Sequence, residues 1–263
     1  MYDFEFLRPD TLDEAIAALD RDDAMPVAGG QTLLPTLRQR LNAPSRLVSL
    51  TAIPGLRGIR REGDMLVIGA TTSHAEVARE AGAHFPALAA LAGSIGDPAV
   101  RNLGTIGGSI ANNDPSACYP AAVLASAAAV VTTRREIAAA DFFQGLFGTA
   151  LQPGELVTAL RFSIPERAAY AKFAQPASRF ALVGVFVAQS GTAARVAVTG
   201  ASEGGVFRWE AAETALSGDF RPEALAGLTP PATGMIDDLH GSADYRAHLV
   251  GVMTRRAVAR AAA

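Results

Sequence analysis

Two glycine doublets, one in Ala28-Gly29-Gly30-Gln31-Thr32 and one in Thr105-Ile106-Gly107-Gly108-Ser109, constrain this chain more than any other feature. Each follows an extended apolar stretch. Glycine has no Cβ, so it takes positive φ freely and lets a ligand come close to the main chain. Successive N–H groups that converge on a concavity form an anion nest. One glycine pair alone reads as a turn. The two together point to one phosphate-bearing ligand. Thr32 is placed to cap a helix beginning at Leu33, whose N-terminal dipole also favours an anion.

Around these loops the pattern alternates. Residues 4–7, 25–28 and 47–50 read as strands. Between them lie a helix opened by the capping box Thr11-Leu12-Asp13-Glu14 and a second helix over 33–41. Such a βαβαβ opening predicts a small parallel sheet. From about Pro54 the texture changes. Residues 58–61 and 66–70 pair as a hairpin, Ser73-His74-Ala75-Glu76 opens a helix, and another covers 86–92. The Gly-, Asn- and Asp-rich stretch 94–115 reads as a long, ordered but irregular segment. A helix near Pro120 and strands over 129–133 and 156–164 follow.

A boundary is expected at Pro165-Glu166-Arg167, separating residues 1–166 (with sub-units of about 1–53 and 54–166) from 167–263. In the second part, 180–189 and 194–201 pair antiparallel, and helices are expected over 210–216 and 222–228. A terminal helix begins at Ser242, with Tyr245, Leu249, Val252, Met253 and Val258 as its apolar stripe.

The chain's 263 residues fit two or three compact units. A net charge of −3 gives no electrostatic case for nucleic acid or anionic lipid. No apolar run is long enough to span a bilayer, and the first residues lack the pattern of a signal peptide, so a cytoplasmic location is the expected default. With Cys118 as its one cysteine, the chain cannot build a disulfide, an iron–sulfur site or a zinc-thiolate site from its own residues. His74, His84, His240 and His248 have no metal-ligand spacing, and each reads as a surface or capping residue. Lys172 is the sole lysine. It is either a surface residue that escaped replacement by arginine or a compact point charge that a tight site requires.

Three segments together resemble the FAD-binding medium subunit of molybdenum hydroxylases, the xanthine dehydrogenase family, and especially the flavoprotein subunit of aerobic carbon monoxide dehydrogenases. They are Ala28 to Thr32, Arg101-Asn102-Leu103-Gly104-Thr105-Ile106-Gly107-Gly108-Ser109, and Ala111-Asn112-Asn113-Asp114-Pro115. Gly154-Glu155-Leu156 and Tyr170-Ala171-Lys172-Phe173 fall in the same family order. The fold implied is α+β: a two-part FAD-binding domain of the vanillyl-alcohol oxidase type, with a small βαβαβ unit and a mixed or antiparallel α+β unit, followed by a C-terminal α+β domain.

The resemblance implies non-covalent FAD, its pyrophosphate held by both glycine loops. Ala28, Gly29, Gly30, Gln31, Thr32 and Leu33 would contribute from the first, and Thr105, Ile106, Gly107, Gly108 and Ser109 from the second. Ile95 and Lys172 would lie by the flavin ring. Asn113, Asp114 and Cys118 would face the ribityl or ribose hydroxyls, with Cys118 standing where relatives often carry an aspartate. A thiol accepts hydrogen bonds poorly, a loss of about 0.5–1.5 kcal/mol.

By the same resemblance no side chain of this subunit is catalytic. A molybdenum-cofactor large subunit oxidises the substrate, and a small subunit with two 2Fe–2S clusters feeds electrons to the FAD. The FAD passes them to a quinone, oxygen or NAD, within a dimer of heterotrimers. Relatives that carry an extra cluster have a cysteine-containing insertion, which this chain lacks between Arg135 and Phe143. Two rival readings remain at this level: a self-sufficient FAD-dependent oxidase or dehydrogenase, and a redox-inactive scaffold subunit.

Overall fold

In a computed structural model, which describes residues 1–21 and 23–262, the first helix begins where its caps require. The Thr11 hydroxyl accepts from the Glu14 N–H and the Glu14 carboxylate accepts from the Thr11 N–H, so two otherwise orphaned donors are satisfied together. The opening runs β1 (Glu5–Leu7), α1 (Leu12–Leu19), β2 (Ala24–Val27), α2 (Leu33–Arg38) and β3 (Arg46–Ser49). β3 lies between β1 and β2 and is parallel to both, with Leu47 opposite Phe6 and Met25. The expected small parallel sheet is present. Ala15 and Leu19 of α1 pack on Val48, Leu50 and Leu156 beneath it.

The second sheet is wholly antiparallel, with order β4-β5-β8-β6-β7. Its strands are β4 (Ile59–Glu62), β5 (Met65–Gly69), β6 (Ala129–Thr132), β7 (Glu136–Ala138) and β8 (Val157–Ser163). Between β5 and β6 come α3 (His74–Glu80), α4 (Pro86–Gly93), α5 (Pro98–Leu103), α6 (Ile106–Asn112) and α7 (Tyr119–Ala125), and α8 (Ala139–Phe142) follows β7. The stretch 94–115 is therefore not irregular: it holds α5 and α6. Asp97 accepts from Val100 N at 2.9 Å and Thr105 accepts from Gly108 N at 3.2 Å. These caps, with Pro98 in the first turn of α5, outweigh the loop-like composition. The second glycine doublet consequently sits in the first turn of α6 and follows a helix, not an extended stretch.

The third sheet, order β12-β11-β10-β9, is also antiparallel. It comprises β9 (Arg167–Ala174), β10 (Ala181–Ser190), β11 (Ala193–Thr199) and β12 (Phe207–Arg208), with α9 (Glu210–Gly218) and α10 (Ala243–Ala262). The helix expected over 222–228 is only a short 3-10 turn, Pro222–Leu225. β7, β9 and β12 give no alternating apolar signal long enough to announce them. α10 lies across β9 and β10 with Leu249, Met253 and Val258 buried. Its apolar stripe is used within the chain, so the terminal helix offers no argument for a partner. The main core crosses between the second and third sheets: Phe85 of the α4 N-terminus meets Phe162 at 6.2 Å and Phe186 at 6.0 Å, both edge-on.

Candidate functional site

The first glycine doublet turns the chain from β2 into α2, with Gly30 at φ +68°. A positive φ there is strained for any residue with a Cβ. Among the described residues, the N–H groups of Gly29, Gly30, Gln31, Thr32 and Leu33 find no acceptor, while Gly30 O accepts from Leu34 N at 3.1 Å. The Thr32 side chain makes no capping bond, contrary to the role its sequence suggests. Its backbone is helical, φ −106° and ψ −52°, not the extended form that an N-cap takes. Five unpaired donors next to a helix start are an anion nest.

The second doublet behaves differently. Ile106 N donates to Thr72 O at 3.0 Å and Gly107 N to Ala70 O at 2.9 Å. Gly108 N donates to Thr105 Oγ1 at 3.2 Å and Ser109 N to Thr105 O at 3.0 Å. All four N–H groups are engaged inside the protein, so this loop is not a second nest. Its glycines serve close packing as well. A Cβ on Gly107 would lie 2.5 Å from the Ala70 Cβ, and one on Gly29 would overlap the Leu103 carbonyl.

That close crossing brings the two loops to one wall of a cavity of about 860 Å³. It extends from Met25, Thr36 and Asn42 past the nest to Ile95, Lys172 and the 177–180 segment. Ala28 through Leu33, Ile95, Thr105, Gly107, Gly108, Ser109, Asp114, Cys118 and Lys172 all line it. Ile106 and Asn113 do not. Ile106 is fully buried in the core. Asn113, at φ +43°, donates through Nδ2 to Gly145 O at 2.8 Å and Gly148 O at 2.7 Å. Its amide holds a neighbouring loop and is already used.

Lys172 is no stray surface cation. From β9 its Nζ donates to Ser94 O at 2.8 Å and Arg179 O at 3.1 Å, and it lies 3.8 Å from Cys118 Sγ. Arg101 Nη1 braces the facing loop through Ile95 O at 2.9 Å and Gly96 O at 3.3 Å. The ammonium is thus fixed before any ligand arrives, which removes reorganisation cost. Cys118 is buried, and burial followed by its thiol raises both Tyr119 and Tyr170 well above the ordinary phenol range.

The sequence reading missed His74, which it took for a surface or capping residue. The side chain is buried, lines the cavity beside Tyr119 with ring centroids 5.3 Å apart, and among the described residues leaves Nδ1 without a partner. Burial, then the charge of Arg101, pushes its pKa down to about 4. The capping box that starts α3 puts His74 at the first helical position, but nothing local reveals that Gly104 and Tyr119 cover it. Phe180 and Glu155 were also unmarked as cavity residues. Glu155 is closed into a network with Arg135 at 3.1 Å and Thr132 at 2.7 Å.

The geometry fits an elongated ligand with an anionic middle: free N–H groups along one wall, an apolar lining over much of the rest, and a fixed cation at the far end. Residues 2–166 match the family model described as FAD binding domain in molybdopterin dehydrogenase. Over 280 aligned residues the chain is 37% identical to the carbon monoxide dehydrogenase medium chain of Afipia carboxidovorans, covering 99% of this chain and 97% of that one. It is 33% identical over 274 residues to the nicotine 6-hydroxylase medium subunit of Paenarthrobacter nicotinovorans, covering 98% and 97%. Among solved structures it is similar to a chain of reconstituted CO dehydrogenase from Oligotropha carboxidovorans, with TM-score 0.88 and 35% identity over 98% and 97% of the two chains.

Proposed function

The chain belongs to the FAD-binding medium subunits of the molybdenum hydroxylase family, and from that membership we propose that it is the electron relay of a larger complex. FAD is its cofactor. The observation that carries the relay reading is the run of unpaired N–H groups from Gly29 to Leu33, in one cavity with the fixed ammonium of Lys172. When bound, FAD supplies the ability to collect electrons and hand them on; the protein positions and tunes it.

In this reading Ala28 to Leu33 hold the pyrophosphate through the main chain, and Thr105, Gly108 and Ser109 shape the same wall beside them. Ile95 presents an apolar side chain to the ring and helps exclude water. Lys172 places positive charge where the reduced cofactor carries negative charge, and its two carbonyl partners keep it there. Asp114 remains the acceptor for sugar or ribityl hydroxyls, because among the described residues only its Oδ1 is engaged, by Ser116 N at 2.8 Å. Residues 1–166 form the FAD-binding domain and 167–263 the subunit's C-terminal domain.

The relatives are medium chains or subunits by their own names. This supports a molybdenum-cofactor large subunit and a small subunit with 2Fe–2S clusters as partners, paired as a dimer of heterotrimers. Substrate oxidation then belongs to the large subunit. The chain is to be purified alone and with the two partners, and its flavin spectrum followed after addition of the large subunit's substrate. Bleaching only when the iron–sulfur chain is present is the expected result. Rapid bleaching of the isolated chain would establish a self-sufficient flavoenzyme, and a chain that takes up no FAD would establish a scaffold.

A further inference from the structure

A second cavity of about 270 Å³ adjoins the first, and Asp114, Ser116, Ser178 and Phe180 line both. Its remaining wall comes from the turn between β9 and β10, from β10, from the loop before α10 and from α10 itself: Gln175, Leu182, Ile236, Asp238, His240 and Arg246. We propose that this cavity is the electron-acceptor site and that its ligand is a quinone. The proposal rests on the flavoprotein reading above.

The charges disfavour a dinucleotide. A pyrophosphate needs a free cation or free N–H groups. The guanidinium of Arg246 is buried, its charge is paired with Asp238, and four of its five N–H donors are engaged: Nη2 with Asp238 at 2.7 Å, Nη1 with Leu182 O at 2.9 Å and Gly200 O at 2.8 Å, and Nε with Gly241 O at 3.4 Å. Asp114 and Asp238 add negative charge to the same wall. The small volume also suits a single ring better than a nucleotide pair.

What remains suits a flat neutral ring with paired carbonyl oxygens. Phe180 supplies an aromatic face, about half exposed, at the boundary with the cofactor cavity. The Gln175 Oε1 accepts from Ala177 N at 2.7 Å, Ser178 N at 2.8 Å and Ser178 Oγ at 3.3 Å. Those bonds fix the amide with its NH₂ towards His240 Nδ1, 3.5 Å away. Gln175, His240 and Ser116 therefore offer donors, and among the described residues the Ser116 hydroxyl makes no bond of its own. Shared walls at Ser178 and Phe180 put a ring bound here next to the end of the larger cavity that Lys172 occupies. The exchange balances as reduced FAD (FADH⁻) plus quinone plus one proton from solvent giving FAD plus quinol, two electrons and two protons in all.

The test titrates the FAD-loaded chain with a short-tailed, water-soluble benzoquinone and reads bound quinone by equilibrium dialysis. Saturable binding is expected, unaffected by excess NAD. Ile236→Trp, which fills the cavity, should abolish it, and His240→Ala should weaken it about tenfold, both with wild-type flavin content. Wild-type quinone binding by Ile236→Trp, or displacement by NAD, would overturn the proposal. In the same preparations, reduction of the FAD through the iron–sulfur partner is followed. Intact flavin reduction with no saturable quinone binding sinks the acceptor site alone, whereas quinone binding without partner-driven flavin reduction sinks the relay reading alone.

Discussion

The Cα of Gly29 rests against the carbonyl of Leu103, so close that no side chain fits between the first glycine turn and the end of α5. This crossing, made by residues 74 positions apart, aligns the nest with the α6 wall of the cavity. It also divides the glycines into those required by the fold and those required by the ligand.

Gly29→Ala is therefore expected to destabilise the chain itself, by about 1–3 kcal/mol as overpacked interiors do. Gly108 is exposed, and a Cβ there meets only the Thr105 hydroxyl at 2.9 Å. Gly108→Val should keep the urea midpoint near wild type while lowering flavin content. Equal stability of wild type and Gly29→Ala would show that the loops do not need this contact.

Lys172→Gln removes the charge while keeping a donor for Ser94 O and Arg179 O. The flavin potential should fall by roughly 30 mV, equivalent to about 1.4 kcal/mol for a two-electron couple. Spectroelectrochemical titration reads it. An unchanged potential with unchanged fold would place the ammonium away from the ring.

Cys118→Asp should fold and bind FAD more tightly. The new carboxylate would meet the Lys172 ammonium, now 3.8 Å from the thiol, and the neighbouring Tyr170 hydroxyl, which has no partner among the described residues. A buried carboxylate is costly only when unpaired. Weaker FAD binding together with a lower melting temperature would mean that neither group reaches it.

His74 makes stability depend on pH. Its pKa is about 4 in the folded chain against an ordinary 6.5, so between these values the unfolded chain binds the proton more readily. Stability is fully present above pH 6.5 and is lost as pH falls towards 4, by up to about 3 kcal/mol. Urea midpoints of wild type and His74→Asn from pH 7 to 4 read the effect. Parallel curves would remove His74 as its cause.

Local signals were enough for the parallel opening sheet, the two capping boxes, the hairpins and the nest at Ala28 to Leu33. Each depends on residues within a few positions of one another, where propensity and periodicity act. They were not enough for α5 and α6, whose Gly- and Asn-rich composition hid the Asp97 and Thr105 caps. The family resemblance named the residues of both glycine motifs, yet it gave the two doublets one role. Their roles part because Gly107 N reaches Ala70 O and Ile106 N reaches Thr72 O, a choice of partner made only when distant segments pack. The same holds for His74, which Gly104 and Tyr119 close over, and for the α10 stripe, which β9 and β10 cover. A backbone donor or an apolar face carries no mark in the sequence of what will meet it. Sequence settled which groups could bind, and tertiary packing decided which were left free to do so.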